Sequence, residues 1–324
     1  MDERINILIG SDVNYAPYYG VMLTSLFMNN SESQFDVYLL TDSSWTVEET
    51  MKFEQLTGRY NSRFFVFVVD ASEMESFPKT THISKPTYYR LKAPSFLPEY
   101  VHKVLYLDGD IIVNGSLIPL WATDISNVAF AGVEDTIYYE DEVYDRLGYD
   151  KSYGYINAGV ALYNLDYWRN NHVSGRAINF IKQNSNVIKW MDQDVVNALL
   201  FNKKMRLPIR YNFQNRFLFS EEWRFYDEGF RKEILQEMTN PVVIHYCGPD
   251  KPWSFRYYHS PYSNLYHYYR KKSLWPNAKV HSPFIKYIKY LVKRIIHHSS
   301  LDENIRQKYI QEAFGLYMFQ SRLK

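Results

Sequence analysis

Two aspartates one residue apart, Asp108 and Asp110, follow an apolar run in the sequence. Ligands of open α/β sheets bind at the carboxyl ends of strands, so we expect both carboxylates to face a ligand. With only the small Gly109 between them, they can converge on one hard divalent cation, which usually keeps several waters and bridges substrate phosphates. A loop that carries solvated acids is the alternative. The position of the pair at a strand end favours metal binding.

His245 is the candidate for a further metal ligand, because it ends another apolar run. A lone histidine beside a strand is more often a buried core residue, but its neighbours favour a binding role. Gly248 lets the backbone approach a ligand closely, Lys251 supplies a point charge that suits phosphate, and Trp253 offers an apolar wall. With the two aspartates, these residues describe a site for a metal and a diphosphate.

The end of the first apolar run, at 10–15, offers groups that suit a nucleoside. Asp12 could accept hydrogen bonds from a base or a ribose, and Tyr15 could stack on a ring. No Gly-x-Gly-x-x-Gly turn follows this run and the sequence has no Walker A motif, so the usual glycine-loop phosphate sites are excluded. A nucleotide whose phosphates are held by a metal and Lys251 is consistent with both observations.

Strands that alternate with helices are expected to position these residues. Apolar runs predict strands at 5–10, 35–40, 64–69, 103–107, 129–133, 160–164 and 242–244. Helical spacing predicts helices at 18–29, 46–60 and 193–201. The alternation is typical of an α/β domain with a mostly parallel sheet. Because it stops past residue 260, we expect the domain to span 1–270 and a basic amphipathic tail to span 271–324.

The composition is that of a globular protein, with 324 residues of which 46% are hydrophobic and 23% charged. The single cysteine, Cys247, excludes an intrachain disulfide framework and a multi-cysteine zinc site. It also suggests a reducing compartment. No signal peptide or membrane-spanning run is visible, so we expect a cytoplasmic protein.

A net charge of +1 conceals a basic block, because residues 251–301 hold ten Lys or Arg and no acid. Within 280–296 the apolar side chains share one helical face, a pattern typical of a basic helix that lies on a membrane surface. A helix packed on the domain gives the same pattern and is the alternative. We favour peripheral attachment to an anionic membrane surface, on its inner face, over nucleic acid, for which no binding motif is present.

The sequence resembles glycosyltransferase family 8, the retaining transferases that include bacterial lipopolysaccharide galactosyl- and glucosyltransferases. The resemblance runs over residues 5–260. It rests on six motifs in chain order, at 10–15, 82–84 followed by 88–91, 103–110, 157–160, 192–194 and 245–248 with 251–253. It implies a GT-A fold, with a Rossmann-like, mixed and mostly parallel sheet flanked by helices. It also implies a UDP-hexose donor and Mn²⁺, with Mg²⁺ as the alternative ion.

By position, the resemblance also implies roles for individual residues. The implied metal ligands are Asp108, Asp110 and His245. The implied nucleoside contacts are Gly10, Asp12 and Asn14, with the Ile83 backbone close by, and the implied diphosphate contacts are Gly248 and Lys251. Tyr15 and Gly109 are further expected donor-binding residues. The implied donor-sugar pocket is Arg90, Asp135, Asn157, Ala158, Gly159, Asp192 and Gln193. Under a one-residue shift, Glu134 would take the place of Asp135.

Asp192 and Gln193 are the expected catalytic residues. Cleavage of the anomeric bond leaves negative charge on the β-phosphate and gives the sugar oxocarbenium character, which Asp192 could stabilise. Because Gln193 is a poor nucleophile, a front-face displacement is favoured, in which the leaving phosphate oxygen accepts the acceptor's proton. A covalent intermediate on Asp192 stays open. The alternative for 192–194 is helix N-capping by the acidic residues.

These inferences predict a retaining, Mn²⁺-dependent transferase that moves galactose or glucose from a UDP-sugar to a glycan or glycolipid, in lipopolysaccharide or surface-glycan synthesis. One alternative is a haloacid-dehalogenase-type phosphotransferase that uses Asp108 and Asp110. In that class the acidic pair begins the fold and precedes Thr or Val, whereas here Ile111 and Ile112 follow. The other alternative is a UDP-sugar-binding protein without turnover, against which the intact acidic and amide residues argue.

Overall fold

The computed structural model describes residues 4–70, 72–78, 85–218, 223, 225–248, 251–253 and 262–278. Ile83 and the basic segment 280–296 lie outside these residues, so the predictions for them are not tested. None of the helices in the described part of the chain has the length and apolar character that crossing a bilayer requires.

Strands and helices alternate along the described chain. The strands are β1 (Ile5–Gly10), β2 (Phe35–Thr41), β3 (Arg63–Val68), β4 (Lys103–Leu107), β5 (Ile111–Val113), β6 (Phe130–Glu134), β7 (Ile156–Asn164), β8 (Lys204–Arg206), β9 (Phe213–Gln214) and β10 (Val243–His245). The helices are α1 (Ala16–Asn29), α2 (Val47–Gly58), α3 (Ala93–Phe96), α4 (Ile118–Trp121), α5 (Asp141–Leu147), α6 (Leu165–Asn170), α7 (Val173–Gln183), α8 (Met191–Leu199), α9 (Glu228–Glu237) and α10 (Ser263–Lys272). Every predicted strand and helix is present, with ends shifted by a few residues.

The larger sheet has seven strands in the order β3-β2-β1-β4-β7-β6-β8. Strands β1 to β4 are parallel, β7 runs antiparallel to both β4 and β6, and β8 is parallel to β6. The sheet is therefore mixed and mostly parallel, as predicted. The parallel strands β1 to β4 end on the side where β1 and β4 place Gly10 and Asp108.

Both faces of the larger sheet are buried. In β1, Ile7 and Ile9 pack in one apolar cluster with α1 and α2, while Leu8 packs in a second cluster on the opposite face. Alternate side chains of a strand point to opposite faces, so this nearly continuous apolar run is what a strand covered on both faces requires.

A second sheet, in the order β5-β10-β9, places the histidine beside the aspartates. His245 is paired with Ile111, and the N–H of Tyr246 donates to the carbonyl oxygen of Asp110 at 2.9 Å. The three strands are only two or three residues long. The short antiparallel pairing therefore fixes the distance between two residues that are far apart in the sequence.

The chain after α10 returns to the core. The Trp275 ring lies on Gly20 of α1 so closely that a Cβ at that position would overlap the ring. Its indole N–H donates to Oε2 of Glu49 at 2.9 Å, which ties it to α2 as well. Trp275 is 6% exposed. The division of the chain at residue 270 remains a prediction.

Candidate functional site

A cavity of about 710 Å³ opens at the carboxyl ends of β1 and β4. The predicted site residues that line it are Gly10, Asp12, Tyr15, Arg90, Asp108, Gly109, Asp110, Asp135, Asn157, Ala158, Gly159, Asp192, Gln193, His245, Gly248 and Lys251. Asn14 is not among the lining residues, because the 3-10 turn Val13–Tyr15 leaves its side chain exposed. The structure thus brings together residues from seven separate stretches of sequence.

Asp108, Asp110 and His245 form a cluster in which one potential ligand atom from each lies within 4.8 Å of the others. Nε2 of His245 is 3.2 Å from Oδ1 of Asp110 and 4.0 Å from Oδ2 of Asp108. A Cβ at Gly159 would come within 2.6 Å of Oδ2 of Asp108 and would also overlap the His245 ring. Only glycine leaves room for the cluster. Two carboxylate oxygens and one imidazole nitrogen suit a divalent cation such as Mn²⁺.

The electrostatics of the cluster favour an ionised Asp110. Burial would raise the pKa of Asp110, but the positive charges of Lys251 and His245 outweigh it and hold that pKa well below its ordinary value. Nζ of Lys251 pairs with Oδ2 of Asp110 and donates to the carbonyl oxygen of Tyr246 at 2.8 Å. Lys251 therefore brings a positive charge to the wall of the cavity beside the candidate metal ligands.

Arg90 connects this cluster to the candidate catalytic residues. It is 5% exposed, its guanidinium lies 3.6 Å from the centre of the Tyr106 ring, and its Nη2 donates to Oδ1 of Asp108 at 2.9 Å. Its Nε lies 2.9 Å from Oδ2 of Asp192, but the N–H is directed at the carbonyl oxygen of Thr87, 3.1 Å away. The contact with Asp192 is consequently an ion pair and not a hydrogen bond.

Asp192 is a buried carboxylate, and among the described residues only one of its two oxygens accepts a hydrogen bond. The Thr87 hydroxyl donates to its Oδ1, while its Oδ2 has no hydrogen-bond donor among the described residues. Burial raises its pKa to about 6, and the Arg90 charge and the Thr87 hydroxyl oppose that rise. Thr87 was not singled out from the sequence, although it directly precedes the motif residues 88–91.

Gln193 is held at both ends of its amide. Its Oε1 accepts from the backbone N–H of Ala158 at 3.0 Å, and its Nε2 donates to Oδ2 of Asp135 at 3.0 Å. Glu134, which precedes Asp135 in the sequence, instead faces Arg206, with its Oε2 3.3 Å from Nε of Arg206. Asp135, and not Glu134, therefore lines the cavity, because successive residues of a strand point to opposite sides.

The turn before α8 places Asp192 and Gln193 in the cavity. Met191 has a φ of +48°, in the left-handed region that non-glycine residues rarely adopt. Asp192 and Asp194 both lie in the first turn of α8, but the N-cap residue is Trp190 and it makes no side-chain capping hydrogen bond. Oδ2 of Asp194 accepts from the N–H groups of Lys189 and Trp190 at 2.7 and 2.8 Å. Asp194 thus holds the preceding turn and does not line the cavity.

Further lining residues were not predicted from the sequence. They include Tyr19, Tyr106, Thr136, Ile137, Trp190, Gln214, Arg216 and Cys247. Trp190 is the most accessible aromatic among them, with 41% of its surface exposed. The sequence signal that could have identified Trp190 as a cavity residue is its position two residues before Asp192. Gln214 is the second residue of β9 and Arg216 follows that strand, and a strand of two residues carries no periodic pattern.

Most of the chain is similar to known proteins. Residues 6–256 match the family described as glycosyl transferase family 8. Lipopolysaccharide 1,3-galactosyltransferase of Salmonella typhimurium is 27% identical over 305 residues, which are 90% of this chain and 86% of that protein. Lipopolysaccharide 1,2-glucosyltransferase of Escherichia coli K12 is 28% identical over 252 residues, 78% of this chain and 73% of that protein.

A solved structure extends the similarity to the fold. Galactosyltransferase LgtC, crystallised with donor and acceptor sugar analogs, has a TM-score of 0.73 and 26% identity, over 83% of this chain and 96% of LgtC. The predicted GT-A fold is thereby confirmed. The family match extends over residues 6–256, far more than half of the sequence, and the chain accordingly belongs to glycosyltransferase family 8.

Proposed function

We propose that the protein transfers galactose or glucose from a UDP-sugar to a glycan or glycolipid acceptor, with retention at the anomeric carbon and with Mn²⁺ as its metal. Mg²⁺ is the alternative ion. The observation that carries the proposal is that one cavity holds both the Asp108, Asp110 and His245 cluster and the buried Asp192 and Gln193. The cluster suits a nucleoside diphosphate, and the buried pair suits the sugar.

The diphosphate would occupy the side of the cavity formed by the cluster and Lys251. A divalent cation held by Asp108, Asp110 and His245 would supply a positive charge to offset the negative charge on the leaving phosphate. Lys251 contributes a second positive charge, and Gly248, with a φ of +92°, presents backbone without a side chain. Tyr15 and Asp12 line the adjoining part of the cavity, where a uridine would lie.

The sugar would lie against Asp192 and Gln193. The anionic form of Asp192 stabilises positive charge that develops at the anomeric carbon. The Gln193 amide neither gains nor loses a proton at neutral pH, and its oxygen already accepts from Ala158. These properties favour a front-face displacement, in which the acceptor hydroxyl gives its proton to the leaving phosphate oxygen. A covalent intermediate on Asp192 is the alternative mechanism.

The identity of the two substrates rests on relatives. The two lipopolysaccharide transferases are named for glucosyl and galactosyl transfer, which supports galactose or glucose as donor sugar and a lipopolysaccharide or surface glycan as acceptor. Peripheral attachment to the inner face of an anionic membrane through 280–296 is part of the same proposal. It rests on the basic amphipathic pattern of that segment, which lies outside the described residues.

UDP release from UDP-galactose and UDP-glucose, with Mn²⁺ and with EDTA, tests the proposal. We expect Mn²⁺-dependent release from one of the two donors, and loss of that release in Asp110→Asn, which removes one anionic ligand. Glu134→Gln is the matched control, because Glu134 faces Arg206 outside the cavity. Full activity of folded Asp110→Asn would refute the metal assignment. Mn²⁺-dependent UDP binding without any turnover would instead support a binding protein.

A further inference from the structure

Four hydrogen-bonded side chains connect the sugar side of the cavity to the candidate metal ligands. In order they are Asp135, Asn157, Asn212 and His245, with exposed fractions of 9%, 6%, 0% and 4%. Asn212 was not identified from the sequence and does not line the cavity. It precedes β9, which pairs with β10, so that the small sheet brings it behind His245.

The direction of the first hydrogen bonds is fixed by groups that can act only as a donor or only as an acceptor. The backbone N–H of Gly159 can only donate, and it points to Oδ1 of Asn157 at 3.0 Å. Nδ2 of Asn157 therefore faces Oδ2 of Asp135, 2.7 Å away, where a carboxylate accepts it. Amide orientations are normally assigned from such partners. Here both ends of Asn157 give the same assignment.

The same direction continues to the histidine. Nδ2 of Asn212 donates to Oδ1 of Asn157 at 2.8 Å, which leaves Oδ1 of Asn212 facing Nδ1 of His245 at 2.9 Å. An amide oxygen only accepts, so the proton of the bond is on Nδ1. The other ring nitrogen, Nε2, is directed at the two aspartates. The donor-to-acceptor direction along these four side chains thus presents Nε2 of His245 to a cation.

We propose that Asn212 is a positioning residue that fixes the ring orientation and the tautomer of His245 for metal binding. Histidine ligands almost always donate their second ring nitrogen to a neighbouring acceptor, and loss of that acceptor weakens metal binding. In this protein the acceptor is an amide, and its direction is set by Gly159 and Asp135 through Asn157. The inference rests on the proposed function only in requiring a divalent cation at His245.

Mn²⁺ binding to the protein without nucleotide or sugar tests the inference, with free Mn²⁺ measured by its electron paramagnetic resonance signal. Asn212→Leu keeps the volume but leaves Nδ1 without an acceptor, and we expect about 10- to 100-fold weaker Mn²⁺ binding. Asn212→Asp keeps an oxygen opposite Nδ1 but places another against Oδ1 of Asn157. Its affinity should lie between those of the wild type and Asn212→Leu.

Asn30→Leu is the matched control, because Asn30 is also buried and makes hydrogen bonds to Leu26, Gly115 and Leu117 far from the cavity. We expect it to lower folding stability and leave Mn²⁺ affinity unchanged. Wild-type Mn²⁺ affinity in folded Asn212→Leu would overturn the inference while the metal site stands. Equal losses in Asn30→Leu would also overturn it. Absence of Mn²⁺ binding in the wild type would overturn the metal site and the inference together.

Discussion

Burial raises the pKa of Asp192 to about 6, so its charge changes within the pH range of an ordinary assay. Below about 6 the carboxyl group is protonated and neutral, and it no longer stabilises positive charge on the sugar. We therefore expect kcat/KM for donor hydrolysis to fall as the pH is lowered through about 6. Steady-state rates from pH 5 to 8 measure this dependence.

Protons also compete for His245, so UDP binding with Mn²⁺ must be measured at each pH as the control. If UDP stays bound at pH 5 and the rate stays constant, Asp192 does not act in its anionic form. If binding and rate fall together, metal loss explains the profile.

At the scale of single residues, the sequence identified most of the cavity because its motifs stand at the ends of apolar runs. Strand ends of an α/β sheet converge on one edge, which is why Gly10 and Asp108 could be placed near one another. The sequence alone could not decide whether Glu134 or Asp135 lines the cavity, because that depends on which side of the sheet each side chain faces. Asn212 could not be found, because its role depends on hydrogen bonds to Asn157 and His245, distant in sequence.

At the scale of elements, the turn before α8 depends on Asp194. Besides the two backbone N–H groups, its carboxylate accepts from Arg146 at 2.7 Å and from the Tyr155 hydroxyl at 2.6 Å, and it is fully buried. A left-handed Met191 costs of order 1–3 kcal/mol, which these hydrogen bonds offset. In Asp194→Asn one carboxylate oxygen that accepts hydrogen bonds is replaced, so the turn is held less firmly. Misplacement of Asp192 by ~1 Å can lower kcat about 100-fold.

The measurement is a comparison of kcat for donor hydrolysis with UDP affinity in Asp194→Asn. We expect kcat to fall while UDP binding with Mn²⁺ is retained, because the metal ligands lie on other elements. Arg169→Met is the control for general destabilisation. Arg169 donates to backbone carbonyls of the segment that follows α3, among them Val101 at 2.9 Å, and does not line the cavity. Equal loss of kcat per folded molecule in both variants would contradict a positioning role for the turn.

Long strands and helices could be predicted because their apolar residues repeat over several turns or alternations. In the small sheet, β10 was predicted as a strand at 242–244, but β5 and β9 were not, since they have only three and two residues. Helix α7 was missed although it buries Val173, Ala177 and Ile181 at helical spacing. The motifs stand at strand ends, and α7 carries no cavity residue.

At the scale of the whole molecule, the aromatic side chains of the C-terminal region join the cavity to the outer helices. Tyr266 of α10 packs on Trp253 with ring centroids 5.1 Å apart, and Trp253 stacks on Tyr18 of α1 at 4.1 Å. Trp253 lies two residues after Lys251, which contacts Asp110. Helix α10 therefore supports the cavity wall that carries Lys251, for which we propose diphosphate binding, although the residues of α10 do not line the cavity.

Truncation tests where the catalytic domain ends. A chain that stops after residue 278 keeps Trp275 against Gly20 and Glu49, and we expect it to retain donor hydrolysis while losing attachment to anionic vesicles, because it lacks 280–296. A chain that stops after residue 270 also loses Trp275. Removal of a buried tryptophan costs about 3–5 kcal/mol, so this chain should unfold at a lower urea concentration. Vesicle binding by the 278 chain would refute the membrane role of the tail, and equal stability of the two chains would support a domain end at 270.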